Sequence, residues 1–207
     1  MFQKLVATAL IVFACSFNAY SQESAFTGKI IYEYQFLDPS TGRDITAMLK
    51  EYFGEEQHYF INTENYKSLD EEGGLKQLYN SDTNQYYALN PTTGAIEPTD
   101  AGVSTSTMVE IIHHDETITI LGRECKKVTV ATEDDKTVYY YDPNLRVDPK
   151  PFSKHKFGNW DAYLNATNGA IALRYDIVAP QFIMIVKATS IEEMTLENAE
   201  FDVSDFQ

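Results

Sequence analysis

Cysteine is scarce in this sequence, with 2 among 207 residues. Disulfide-stapled miniproteins and cysteine-based zinc fingers or ribbons need more than that, so both classes are excluded. Basic residues are also few, because 16 Lys and Arg stand against 31 Asp and Glu, for a formal net charge of −15. Nucleic-acid backbones repel so acidic a chain unless it carries a local basic patch, and we therefore expect no nucleic-acid partner.

A long hydrophobic run is missing as well. The apolar segment at 5–14 follows Lys4 and is shorter than the roughly 20 residues that a transmembrane helix needs. A short apolar segment behind a positive charge is typical of an export signal, so we expect an exported protein without a membrane span. The predicted location is the periplasm or the outer membrane.

The export signal can end in two ways. Ala19 and Ser21 place small residues where a signal peptidase reads them, which predicts cleavage after Ser21 and a signal peptide over 1–21. Alternatively, residues 12–15 resemble a lipobox that would lipidate Cys15 and anchor the protein, although bulky Phe13 lies where a small residue is usual. Cleavage after Ser21 leaves Cys125 as the remaining thiol, and its strand-like surroundings predict a buried packing residue.

The rest of the chain, 22–207, is predicted to be a single β-rich domain. Aromatic residues make up 13% of the sequence and favour β-sheet. Apolar residues alternate with polar ones in short stretches that end at turn residues, which predicts about ten strands. Connections of two to five residues imply antiparallel pairing, because parallel pairing needs a longer crossover. One of the predicted strands covers 45–53.

Two stretches depart from the strand pattern. Residues 99–115 are compatible either with a short helix or with a further strand. Residues 144–164 form a long connection that contains the only tryptophan, and a connection of that length is typical of a functional loop or a lid.

Candidate chemical motifs are weak. The pair His113-His114 is predicted to lie in a loop, and adjacent side chains chelate a metal poorly because they diverge. Glu56 and His58 would share a strand face but supply only two ligands. Nothing in the sequence matches a nucleophile elbow, a phosphate loop or a helical pair of metal-binding histidines. We therefore predict no catalytic residue, no metal site and no cofactor.

Four segments carry a family resemblance. They are the opening strand at 26–34, the run at 120–130 that begins Ile120-Leu121-Gly122-Arg123-Glu124-Cys125-Lys126-Lys127, the strand at 138–141, and the stretch 188–193. Together they resemble exported Bacteroidetes proteins of unknown function related to the GLPGLI families. More distantly, the chain resembles LolA/LolB-like lipoprotein carriers. The signature Gly-Leu-Pro-Gly-Leu-Ile itself is absent, and residues 168–175 occupy the comparable place.

The resemblance implies a strongly curved antiparallel sheet, an open half-barrel whose concave side is partly closed by one or two short helices or lid loops. It also implies a non-enzymatic envelope protein that binds a hydrophobic or lipid-like ligand in the concavity. An envelope interaction or assembly module without a small-molecule ligand is the alternative. The aromatic excess fits either a cavity lining or plain packing. Candidate cavity residues lie on the most apolar strand faces and in the predicted lid: Tyr34, Phe36, Phe157, Trp160, Ile183 and Ile185.

Overall fold

The computed structural model describes residues 25–90, 93–104, 106–107, 109–133 and 135–206. The predicted signal peptide and the lipobox alternative lie outside these residues. Within the described part, eleven strands form one antiparallel sheet that does not close, and two short helices accompany it. The mainly β fold predicted from the sequence is confirmed. The elements are β1 Gly28–Leu37, α1 Thr46–Phe53, β2 Glu56–Ile61, β3 Tyr66–Leu69, β4 Leu75–Asn80, β5 Gln85–Leu89, β6 Ile96–Asp100, β7 Glu110–Ile120, β8 Arg123–Ala131, β9 Lys136–Arg146, α2 Trp160–Thr167, β10 Ala170–Val178 and β11 Ile183–Glu193.

The strand order is β6-β5-β4-β3-β2-β1-β11-β10-β9-β8-β7. Each half of the chain forms a run of antiparallel neighbours, and the two runs join where the first strand pairs with the last. Short turns make this order possible, as between β7 and β8, where Leu121 and Gly122 both take positive φ values of 49° and 74°. Such turns match the right-handed twist of hairpin strands.

The sheet curves strongly. Strands β5 and β9 are seven places apart in the order, which would separate them by about 34 Å in a flat sheet with about 4.8 Å between strands. Nevertheless, Tyr86 of β5 and Tyr139 of β9 line the same cavity. The two halves of the sheet therefore bend toward each other, and their shared inner side is concave.

The strand predicted over 45–53 is wrong, because Thr46–Phe53 forms helix α1. The alternation of apolar residues suggested a strand, but Ala47, Met48, Leu49 and Lys50 are all good helix formers. Asp44 Oδ1 accepts a hydrogen bond from the backbone N–H of Thr46, 2.8 Å away, which satisfies a donor at the start of the helix.

Two further expectations are corrected in the second half of the chain. His113 and His114 lie in strand β7 rather than in a loop. The sequence leaves a helix or a strand open for the stretch 99–115. The end of this stretch forms a strand, because β7 begins at Glu110. Strand β9 continues to Arg146, so the long connection begins later than the sequence indicated.

The core lies on the inner side of the sheet and under α2. It combines tyrosines from the first strands with aliphatic side chains from the later ones. Cys125 is fully buried in this core, as predicted, and burial raises the pKa of its thiol to about 11. No helix in the described part of the chain is long and apolar enough to cross a membrane.

Candidate functional site

A cavity of about 190 Å³ lies between the inner side of the sheet and the segment 147–167, which we call the cover. Strands from both halves of the sheet contribute to its wall, and the lining is dominated by aromatic rings. The lining residues are Tyr32, Gln57, Tyr59, Tyr66, Gln77, Tyr86, Thr137, Tyr139, His155, Phe157, Gly158, Trp160, Ile171, Ala172, Tyr175 and Ile177.

The period of two along the strands places these tyrosines on the inner side. Strand β1 buries every second residue over most of its length, including Tyr32, and strand β2 does the same with Tyr59. The Tyr32 hydroxyl donates to the backbone oxygen of Ala172, 2.7 Å away. This bond joins the two halves of the sheet across the cavity wall.

Backbone hydrogen bonds hold the cover at its middle and at its ends. In the middle, the N–H groups of Lys156 and Phe157 both donate to the oxygen of Ala101, which directly follows β6, at 2.7 and 3.0 Å. The two ends of the cover are joined to each other, because the N–H of Val147 donates to the oxygen of Gly169 at 2.9 Å. Gly169 has a φ of +80°, and a Cβ there would lie 2.0 Å from the oxygen of Val147, so no larger residue fits this contact.

His155 anchors the cover inside the aromatic wall. Its side chain is buried, its Nε2 lies 2.6 Å from the hydroxyl of Tyr66, and its ring stacks on Tyr79 with centroids 4.2 Å apart. Burial lowers the pKa of His155 to about 4, against the opposing influence of Asp161. The imidazole is therefore neutral at physiological pH.

Helix α2 closes the other side of the cavity. The Trp160 ring contacts Tyr66 of β3 with centroids 5.8 Å apart, and Tyr163 stacks on Tyr139 of β9 at 4.1 Å. Since Trp160 and Tyr163 also contact each other, the helix forms an aromatic bridge between the two halves of the sheet.

Three polar atoms of lining residues have no hydrogen-bond partner among the described residues. They are the hydroxyl of Tyr59, Nδ1 of His155 and Nε1 of Trp160, and each atom is buried. An unpaired buried polar group costs about 1–3 kcal/mol. Because none of the three atoms has accessible surface, packing encloses them and they do not face the cavity.

The wall carries no formal charge at physiological pH. None of its lining residues is Lys, Arg, Asp or Glu. Burial raises the pKa values of Tyr86 and Tyr139 to about 12, so both phenols stay protonated. A neutral ligand fits this cavity better than a charged one, because an unpaired charge is costly to bury.

Of the cavity candidates named from the sequence, Phe157 and Trp160 line this cavity. Tyr34 lies beside it and donates from its hydroxyl to Gln57 at 3.2 Å. Phe36 is fully buried but does not line the cavity, and its ring contacts Phe53 of α1 and Phe182 in the turn before β11.

The two isoleucine candidates occupy the other side of the sheet. Met184 pairs with Phe36 and therefore shares its side, whereas Ile183 and Ile185 flank Met184 along β11. Successive side chains of a strand point to opposite faces, so both isoleucines point away from Phe36.

The sequence candidates include none of the six tyrosines that line the cavity, and they do not include His155. The alternation of apolar and polar residues along each single strand predicts that Tyr32, Tyr59 and Tyr66 face inward. That these side chains line one cavity depends on the strand order and the curvature of the sheet, which a local sequence pattern does not predict.

The remaining titratable groups do not assemble into a site. His58 Nε2 lies 3.2 Å from Glu56 on the same face of β2, and His114 Nε2 lies 2.9 Å from the Thr129 hydroxyl. Among the described residues, no three His, Cys, Asp or Glu side chains are grouped so as to hold a metal ion.

Comparison with known proteins gives similarities to solved structures alone. No family model and no curated protein matches the sequence. A structure of PNGF-II is similar over 88% of this chain with 14% identity and a TM-score of 0.48, and this chain spans 30% of its length.

The LolA superfamily protein NE2245 from Nitrosomonas europaea is similar over 86% of this chain and 90% of its own, with 6% identity and a TM-score of 0.36. A domain from Vibrio parahaemolyticus described as an outer-membrane lipoprotein-sorting protein is similar over 86% of this chain and 91% of its own, at 9% identity and a TM-score of 0.35. The structural neighbours thus include LolA superfamily proteins, at a similarity too low to indicate a ligand.

Proposed function

We propose that this chain is a non-enzymatic protein of the cell envelope that holds a hydrophobic or lipid-like ligand in the cavity beneath the cover. The observation that carries the proposal is the cavity itself, about 190 Å³ in volume and lined mainly by aromatic rings. Ligand sites are typically concave and mostly apolar, with a few placed polar groups. This wall has both properties.

The volume limits what the cavity holds. An apolar cavity of about 150 Å³ in another protein accommodates benzene. A cavity of about 190 Å³ therefore has room for one ring or for a segment of one chain. A larger lipid-like ligand would extend beyond the cavity or displace the cover.

Export is part of the proposal and is supported from the sequence. A signal peptide over 1–21 and the resemblance to exported Bacteroidetes proteins favour a mature domain, 22–207, in the periplasm or at the outer membrane. Intact mass of the exported protein distinguishes cleavage after Ser21 from lipidation of Cys15. A mass that retains residues 1–21 would contradict export by either route.

Organic extraction tests whether the purified protein contains a bound ligand. The protein is purified natively from its own envelope, extracted with organic solvent and analysed by mass spectrometry. We expect a molecule that co-purifies in stoichiometric amount with the unmodified chain. Thr137→Phe places a ring on the cavity wall and should reduce the bound amount several-fold, whereas Thr119→Phe, on an exposed β7 position outside the cavity, should not.

Two results would contradict the proposal. An extract without a co-purifying molecule, together with no binding of a fluorescent lipid analogue, would remove ligand binding. Equal occupancy of the two phenylalanine variants would show that a bound molecule lies elsewhere.

A protein-interaction module is the second candidate, and the edge of the sheet favours it. Strand β7 has eleven residues and pairs on one side with β8, and it has no other strand partner among the described residues. An edge of that length can accept a strand from another protein. Crosslinking in cells from an exposed β7 position tests this candidate, and absence of a specific adduct would count against it.

A further inference from the structure

Strand β7 is one edge of the sheet, and its first five residues, 110–114, are complementary to a second copy of themselves. We infer that two copies of this chain associate through this segment, as an antiparallel strand pair with a two-fold axis at Ile112. The two sheets then form one continuous sheet. This association goes beyond the proposed function, because it needs no bound ligand.

The outer edge of the segment is free. Strand β7 pairs with β8 on one side and has no strand on its other side among the described residues. In the same part of the chain, no backbone hydrogen bond joins 110–114 to the cover or to a loop. Glu110, Ile112 and His113 are exposed. Unpaired N–H and C=O groups along such an edge can pair with a further strand.

The opposite edge, β6, is protected against pairing. It contains Pro98, which has no N–H to donate, and the charged residues Glu97 and Asp100. Prolines and charged side chains keep edge strands from pairing. The segment 110–114 contains no proline, glycine or lysine. Pairing through β7 alone therefore closes at two copies and does not extend into a fibre.

A β-bulge sets where the pairing segment ends. Residues 110–114 pair with β8 in an unbroken register, and the register shifts between His114 and Thr117. The bulge contains Asp115 and Glu116, which are both exposed. A bulge bends its strand, and charges at an edge oppose a neighbouring strand. The regular part of this edge is therefore the five residues before the bulge.

Side-chain chemistry selects one register. Opposite residues of an antiparallel pair point to the same face, so the pairing can shift only in steps of two residues. With Ile112 opposite the partner's Ile112, Glu110 lies opposite the partner's His114, and the two-fold axis repeats this contact. A shift of two residues places Glu110 opposite the partner's Ile112 or the partner's Glu116. The first leaves the carboxylate without a polar partner, and the second opposes like charges, which is destabilising.

An apolar row on the outer side of the sheet supports this register. Ile112 pairs with Thr129 of β8, and Thr129 pairs with Val138 of β9. Val138 points outward, because the next residue, Tyr139, lines the cavity. Ile112 is 39% exposed at the end of this row. Contact between the two copies of Ile112 removes that exposed end from water.

The short segment limits the strength of the association. Five residues of strand span about 17 Å, so the interface is small. Interfaces below about 1,200 Å² are typical of weak, transient complexes. We expect a dimer with a dissociation constant of roughly 100 µM.

Sedimentation of the full exported protein tests the association. Runs from about 10 µM to about 1 mM bracket that dissociation constant, in salt of about 0.15 M that screens the net charge. Ile112→Lys places like charges opposite each other and should raise the dissociation constant at least about 10-fold. Thr119→Lys is the matched control, because it makes the same change in charge at an exposed β7 position beyond the bulge. It should leave the constant within about 2-fold.

An exchange of charge tests the register. His114→Glu places a carboxylate opposite the partner's Glu110, twice in each dimer, and should raise the dissociation constant about 5-fold. Glu110→Lys combined with His114→Glu restores opposite charges across the axis. The double variant should return to within about 2-fold of the unmodified protein. Circular dichroism checks that each variant keeps its sheet.

Four results would overturn the inference. The first is a monomer at every concentration. The second is a dimer that Ile112→Lys and Thr119→Lys weaken equally, because net charge would then explain both effects. The third is a dimer that neither variant weakens, because its interface would then lie elsewhere. The fourth is a double variant that stays as weak as His114→Glu. None of these results concerns the ligand, so a protein without a co-purifying molecule would contradict the proposed function alone.

Discussion

The two ends of the sheet pack in different ways. Strands β2–β5, which we call the aromatic wing, bury the rings of Tyr59, Tyr66 and Tyr79. Strands β7 and β8, the aliphatic wing, contain no aromatic residue and bury Ile120, Cys125, Val128 and Val130 instead. The cavity is lined by residues of the aromatic wing but by none of the aliphatic wing.

This difference indicates how the fold makes room for a ligand. Branched aliphatic side chains interdigitate and approach the density of a crystal. Tyrosine rings are flat and stiff, and each carries a hydroxyl that needs a partner. Packing them against the cover therefore leaves space and unpaired polar atoms between the rings. The largest effects of mutation on stability should fall in the aliphatic wing, and effects on binding should fall in the aromatic wing.

Truncation in the aliphatic wing should have the largest effect. Ile120→Ala removes buried methyl groups from a position that is 2% exposed, and should lower the free energy of unfolding by about 3 kcal/mol. Urea denaturation measures the change. Ile112→Ala on the same strand is the control, because Ile112 is 39% exposed and its truncation should cost under about 1 kcal/mol. Equal losses at the two positions would contradict tight packing in this wing.

Acid should destabilise the protein through His155 of the cover, which packs against Tyr66 and Tyr79 of the aromatic wing. The unfolded chain protonates His155 near pH 6.5, but burial lowers the pKa of the folded state to about 4. The unfolded state therefore binds more protons between these values, so the contribution is complete above pH 6.5 and is lost as the pH falls toward 4. It amounts to about 3 kcal/mol.

His155→Gln separates this contribution from the titration of other groups. We expect the free energy of unfolding of the variant to fall less than that of the unmodified protein when the pH is lowered from 7 to 4. Urea denaturation at several pH values measures both slopes. Parallel slopes would show that His155 does not titrate abnormally.

Tyr66→Phe should have an intermediate effect. The substitution keeps the ring but removes the hydroxyl 2.6 Å from His155 Nε2, which leaves a second buried ring nitrogen without a partner. We expect a loss of about 1–3 kcal/mol in thermal or urea denaturation. A stability unchanged from that of the unmodified protein would mean that this hydrogen bond contributes nothing.

Tyr59→Phe should have the smallest effect on the ligand-free protein. The Tyr59 hydroxyl is buried without a hydrogen-bond partner among the described residues, so its removal should change the free energy of unfolding by no more than about 0.5 kcal/mol, or raise it. Urea denaturation checks this, with Tyr66→Phe as the contrasting tyrosine. A loss above about 1 kcal/mol would show that the hydroxyl is satisfied in the folded protein.

Much of the secondary structure follows from the sequence. Alternation and turn residues predict the strands, and the strand-like run at 123–130 predicts a buried Cys125, because these signals lie within a few residues of each other. The sequence predicts a strand where helix α1 lies, because a short amphipathic segment satisfies both a helical and a strand pattern. It predicts a loop at His113 and His114, which lie in β7, because two adjacent histidines carry no strand signal of their own.

The cavity was predictable only in part. Phe157 and Trp160 were named because a long connection indicates a lid, and they do line the cavity. Tyr59 and His155 are far apart in the sequence and meet only through the curvature of the sheet and the docking of the cover.

The sequence by itself determined the charge, the β-rich composition and the inward side of most strands, since these depend on residue type and a period of two. Only the tertiary structure decided that tyrosines from opposite halves of the chain enclose one neutral cavity. The physical reason is that strand order and sheet curvature bring the two halves together, and that the cover is held there by backbone bonds to Ala101 and Gly169.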